Sequence, residues 1–297
     1  MVQAILTDKP EFPMASVDII ACNSTMGSLL RFALGHDKPF RILVEVLGNT
    51  VFFIRRENSP TEIIPDIHGY GHTFPEAYTM WSASVGGSES HQRVMKYEFA
   101  GMQCLIRFEA DGFLPGLVLD TEETKQDPVS PKDNIVLGEA LSMEELRITH
   151  APSMTTKTAP KQLEIARQGR RIPQCAIFDL KTRSHHKKSH NTLEEELPRL
   201  WISQTPNFVL AHHTAGRFKD IQVQDVRDNV KQWEEIQQPA LTKFASLLQM
   251  IVAFARSADD GKLEIDREEG EQVLNLRRQG GVVKGVLSPA VSSKWDM

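Results

Sequence analysis

Two acidic strings end apolar runs in this 297-residue chain. Phe108-Glu109-Ala110-Asp111 follows Met102-Gln103-Cys104-Leu105-Ile106-Arg107, and Phe178-Asp179-Leu180-Lys181 follows Gln174-Cys175-Ala176-Ile177. Such runs suit buried strands. Strand alternation puts Glu109 and Asp111 on one face of the first, and Asp179 and Lys181 on one face of the second. Acids there are costly to bury without a cation, so the strings read as a divalent-metal site. Hard oxygen donors select Mg²⁺ or Mn²⁺. Such an ion acidifies water and neutralises charge at phosphorus, the chemistry of phosphodiester or pyrophosphate hydrolysis. Lys181 would orient that water or stabilise the developing oxyanion. A third carboxylate is expected from a helix over residues 88–97, which opens at Ser88 after Gly86-Gly87. Glu89 is the candidate metal ligand and Glu98 its rival.

The order acid pair, then acid-x-Lys, resembles the PD-(D/E)xK nuclease superfamily, and within it the Rai1/DXO decapping-nuclease family. That family's pattern is a helix Glu, then Glu-hydrophobic-Asp, then Glu-hydrophobic-Lys followed by Thr, then a glutamine-bearing helix and a strand. Glu109-Ala110-Asp111 matches the second element. Asp179-Leu180-Lys181-Thr182 matches the third, with Asp for the family's Glu. Leu197 to Phe208 resembles the glutamine helix and points to Gln204 near substrate, and Val209 to His213 with Gly216-Arg217-Phe218 resembles the next strand and its turn. Phe40 to Thr50 resembles the early sheet and Leu241 to Arg256 the late helix. The family's active-site arginine is not matched, and a long polar insertion separates Asp111 from Asp179.

The resemblance implies a central mixed sheet flanked by helices, of the α/β, restriction-endonuclease-like class. It also implies divalent metal held by the acids and the main-chain carbonyl of Leu180, and removal of caps or 5′ groups from RNA, in some members with 5′-to-3′ degradation. RNA 5′ ends are the implied partner, and an exoribonuclease is a second candidate. A DNA or structure-specific nuclease, and an idle RNA-binding scaffold, remain open alternatives.

Composition is that of an ordinary enzyme. Hydrophobic residues make up 40% of the chain, ample for a core. No apolar run approaches the ~20 residues that span a bilayer. Met1 to Pro10 lacks the features of a secretory signal, and Cys22, Cys104 and Cys175 are far apart and read as reduced core residues, so a nuclear or cytoplasmic location is expected. A net charge of -5 argues against indiscriminate coating of nucleic acid but leaves room for a local basic channel. The stretch Lys181 to His190 begins at the proposed site and could meet RNA phosphates, Arg183 first among them, or be a solvated loop. Glu194-Glu195-Glu196 suits a helix N-terminus.

Along the chain, residues 1–15 read as a flexible leader, 16–285 as one nuclease-like domain with a polar insertion over about 120–161, and 286–297 as a tail. Strands are expected at Phe40–Leu47 and Thr50–Arg55 around a Gly48-Asn49 turn. Helices are expected near 26–34 and 240–255, a strand over 163–167, and the metal-bearing strand over 172–180. His68 and His72 between glycines read as a surface turn.

Overall fold

The apolar runs pair into two sheets. The computed structural model describes residues 1–56, 70–71, 73–118, 165–280 and 285–295; the insertion and the turn at His68 and His72 lie outside the described residues. The larger sheet holds β1 (Ile19–Cys22), β2 (Phe40–Leu47), β3 (Thr50–Arg55), β4 (His91–Phe99), β5 (Met102–Ala110), β10 (Lys262–Arg267) and β11 (Asn275–Arg278), in the order β11-β10-β2-β3-β1-β5-β4. The smaller holds β6 (Gly112–Phe113), β7 (Ile177–Ser184), β8 (Asn207–Thr214) and β9 (Arg217–Asp225), in the order β6-β7-β8-β9. Both are mixed: β1 runs parallel to β3 and β5, β7 runs parallel to β8, and the other pairs are antiparallel. The short β1 is apolar because it is covered on both faces.

Helices α2 (Asn23–Ala33), α4 (Thr192–Ser203), α5 (Arg227–Ile236) and α6 (Gln238–Ser257) bury their apolar stripes on one face of the large sheet. In α6 the stripe is Leu241, Phe244, Leu248, Ile251, Val252 and Ala255, at helical spacing. The opposite face is closed by the two chain ends, which corrects the expectation of a loose leader and tail. Val2 and Leu6, one turn apart on α1 (Val2–Asp8), are buried with Phe52, Leu105 and Trp295. Trp295 follows α7 (Pro289–Ser292) and donates its indole N–H to Thr50 Oγ1 at 2.9 Å. An apolar sheet face needs a cover, and these residues supply it. The short α3 (Thr73–Tyr78) seats Phe74 against Phe178, Leu180, Val209 and Ala211 on the small sheet.

The hairpin at Gly48-Asn49 forms with the expected strand limits. The helix expected over 88–97 does not. His91–Phe99 is instead a strand paired with all of β5, turning at Ala100-Gly101, both at positive φ. Its Met95, Tyr97 and Phe99 pack inward, a period of two that overrides the serine-cap signal. β7 begins at Ile177 rather than 172, and residues 165–168 form no strand.

The chain crosses from the large sheet to the small one at Asp111, between β5 and β6. Glycine is required next: a Cβ on Gly112 would lie 2.4 Å from the Phe178 ring.

Candidate active site

Asp111 and Asp179 come from different strings and meet at this crossing. Leu180 on β7 donates its backbone N–H to Asp111 Oδ2 at 2.6 Å. Asp179, 5% exposed, faces α4, where the Arg199 guanidinium donates to its Oδ1. Alternation along β7 sends Phe178 and Leu180 toward α3, and Asp179, Lys181 and Arg183 toward α4.

Glu196 on α4 gathers the cations. Its carboxylate accepts from Arg199 Nε at 2.9 Å, lies 3.6 Å from Lys181 Nζ, and lies 3.9 Å from Arg183 Nη2. Glu195 stands 3.7 Å from Arg183 Nη2 and 2.8 Å from His190 Nε2. The glutamates that sequence reading left to the helix dipole therefore hold the site's cations in place. The i,i+3 spacing of Glu196 and Arg199 on α4 marks them as an ion pair but carries no sign that the pair faces β7.

Burial dominates the electrostatics. It pushes the Asp179 carboxyl up to about 7; Arg199 pulls the other way more strongly than Lys181, while Asp111 and Glu196 reinforce the rise. Asp111 is raised for the same reason, against the Leu180 N–H, Arg199 and Lys181, with Glu109 adding repulsion. Two acids that resist ionisation side by side gain from a divalent cation.

The expected site residues divide. Glu109 lies on β5, exposed, close enough to act on Asp111. Asp111, Asp179, the Leu180 backbone and Lys181 converge, and Arg183 stands at the rim. Glu89 does not join them: without its helix it is exposed in the loop before β4, and it is not among the charges acting on either aspartate. Glu98 is turned to Gln103 at the hairpin end. Gln204 is also elsewhere. It is the left-handed cap of α4, with its amide on the Trp201 carbonyl at 2.6 Å and its own carbonyl accepting from Gln174 at 2.9 Å.

The donors suit a hard cation. Mg²⁺ keeps much of its water and needs only one or two carboxylates from the protein, and Asp111 and Asp179 with the Leu180 carbonyl offer that set. Among the described residues no group of three His, Cys, Asp or Glu side chains could hold a metal, so Glu89 and Glu109 do not complete a shell.

Beside this cluster, His212 on β8 is level with Arg183 and 3% exposed. Burial lowers its pKa, although Asp220 opposes this from 3.8 Å. Lys188 in the basic loop pairs with Asp220 at 2.8 Å.

A family model described as a domain of unknown function, DUF8563, matches residues 1–273. The chain belongs to this family. No curated protein matches it. Among solved structures, Candida albicans Rai1 in complex with pU5 and Mn²⁺ aligns with a TM-score of 0.64 at 10% identity, over 99% of this chain and 79% of that one. Scheffersomyces stipitis Rai1 in complex with 3′-NADP⁺ and calcium ion gives 0.57 at 12% identity, over 99% and 74%. K. lactis Dxo1 in complex with manganese gives 0.52 at 9% identity, over 96% and 71%. The DUF8563 chain thus has a Rai1/DXO-like fold, as its motifs suggested. Among the described residues no helix is long and apolar enough to cross a membrane.

Proposed function

We propose that this chain is a Mg²⁺- or Mn²⁺-dependent hydrolase of RNA 5′ ends. The observation that carries the reading is the pairing of buried Asp179 with half-buried Asp111, which accepts the N–H of Leu180, the residue after Asp179, with Lys181 and Arg199 facing both. The fold supports it, since structures of that fold hold pU5 with Mn²⁺ and manganese alone.

Asp111, Asp179 and the Leu180 carbonyl would hold the ion, which supplies an activated water and charge neutralisation at phosphorus when bound. The chain's own residues do the rest. Lys181, anchored by Glu196, presents an ammonium where negative charge develops on the phosphoryl oxygens. Arg199 balances the charge of the acids and holds Glu196 as its second partner, the one it would keep if a cation stood at Asp179. Arg183 meets the next phosphate along the strand, so affinity falls with salt. Gln204 has no part in this scheme, because its amide is committed to Trp201.

The test is a time course on 5′-triphosphate, 5′-monophosphate, capped and NAD-capped RNA and matched single-stranded DNA, in Mg²⁺ or Mn²⁺, beside Asp111→Ala. Metal-dependent product at the RNA 5′ end that vanishes in the variant supports the reading. Cleavage of DNA alone would move it to a DNA nuclease, and no product on any substrate to a binding protein.

A further inference from the structure

Arg267 ends β10 with its side chain 3% exposed and the three N–H donors of Nε and Nη1 unused. Nη2 pairs with Asp37 Oδ1 at 2.7 Å, and the guanidinium lies 5.9 Å from the Phe32 ring centre. Nε and Nη1 are buried with no partner among the described residues. Unpartnered charged donors of this kind cost more than a neutral buried group left without a partner, so they call for a ligand. Asp37 Oδ1 also accepts the Gly270 N–H at 2.9 Å, so this carboxylate ties the loop after β10 to Arg267 without reaching Nε or Nη1.

Arg267 lines a cavity of about 230 Å³ with His36, Lys243 and Gln272, walled by Phe32 and Leu247. These residues come from the loop after α2, from α6, and from the loop after β10. The buried Arg267, the exposed Lys243, an imidazole and a carboxamide therefore line one space, and no carboxylate is among its lining residues, although Glu268, Glu269 and Glu271 belong to the loop that carries Gln272. At ~30 Å³ per water the cavity has room for about eight waters, enough for a tetrahedral oxyanion with a small organic substituent and too little for a nucleic-acid strand. Arginine with lysine is the donor pair that suits phosphate oxygens. The site is separate from the acidic pair: it sits at the C-terminal end of α2, whose first residue, Asn23, bonds the Arg199 carbonyl about 15 Å away along the helix.

We propose that this cavity binds a phosphate group, either free orthophosphate or a small phosphomonoester, with Arg267 and Lys243 as the principal donors. The proposal does not rest on the function given above. The test is calorimetric titration of the full chain in EDTA with orthophosphate, ribose 5-phosphate, and an RNA oligonucleotide lacking a 5′ phosphate. Lys243 is exposed, so Lys243→Glu spares the fold even if Arg267→Ala does not. One or both small phosphates should bind saturably, Lys243→Glu should weaken that binding about tenfold or more, and Asp111→Ala should leave it unchanged. Orthophosphate as the tighter ligand would identify the free ion, and ribose 5-phosphate an esterified one. Four results would overturn the proposal: no saturable binding, equal binding in Lys243→Glu, loss in Asp111→Ala, or binding of the oligonucleotide alone.

Discussion

Replacing Asp179 by asparagine should flatten the pH dependence of stability in the metal-free protein. The Asp179 carboxyl is raised by burial from 3.8 to about 7, so through that window the native state keeps a proton that the unfolded chain has released. Stability must then fall as pH rises across it. About three pH units at 1.36 kcal/mol each, less the part spent below pH 5, leaves a loss of about 2–3 kcal/mol between pH 5 and pH 8. In a chain of this size that corresponds to roughly 3–5 °C in Tm. Asp179→Asn removes the titrating group and one of the charges that raise Asp111, so most of the slope should vanish. Denaturant unfolding in EDTA, followed by the fluorescence of buried Trp201 and Trp233, measures it. Saturating Mn²⁺ should reverse the wild-type trend, because the ion takes only the ionised acids. A variant that kept the full wild-type slope would refute the argument.

Three further outcomes follow from the same geometry. Arg199→Ala leaves two acids without their nearest cation; since the arginine side chain is 36% exposed, the cost should stay at or below the low end of the ~3–5 kcal/mol for broken buried pairs, and it should be larger at pH 8 than at pH 5 by chemical denaturation. Lys181→Ala should slow single-turnover cleavage by roughly 10²–10³-fold while Mn²⁺ affinity by calorimetry stays near wild type, and lost metal binding would contradict the role given to the ammonium. Gly112→Ala drives a methyl into the Phe178 ring beside Asp111, for a destabilisation of about 1–3 kcal/mol in thermal unfolding.

The elements with one clear period were legible in the sequence. Phe40–Leu47 and Thr50–Arg55 alternate around a turn dipeptide, and the α6 stripe has helical spacing, so local chemistry and tertiary packing agree there. His91–Phe99 failed because a serine after two glycines also suits a helix cap, and only pairing with β5 selects the strand. Asp111, Asp179 and Lys181 could be singled out because each stands in an acid motif beside an apolar run, Asp111 just past β5 and the other two inside β7. Arg199 and Glu196 could not, because their role depends on β7 lying across α4, a contact that no local pattern encodes. Gln204 shows how narrow such inferences are. The helix ends at Ser203, and one left-handed residue turns the glutamine back onto its own last turn. The chain ends were misjudged because Pro10 and Pro13 and the glycines and serines of 280–297 read as loop, while the sheet face that Val2, Leu6 and Trp295 cover is assembled from distant segments.

The most direct test of the central claim is a crystal structure of the full chain grown with Mn²⁺, with anomalous scattering recorded above and below the manganese edge. One strong peak is expected within coordination distance of Asp111, Asp179 and the Leu180 carbonyl, with the Arg199 guanidinium displaced from Asp179. A crystal saturated with Mn²⁺ that shows no peak there, and Arg199 still seated on Asp179, would contradict it.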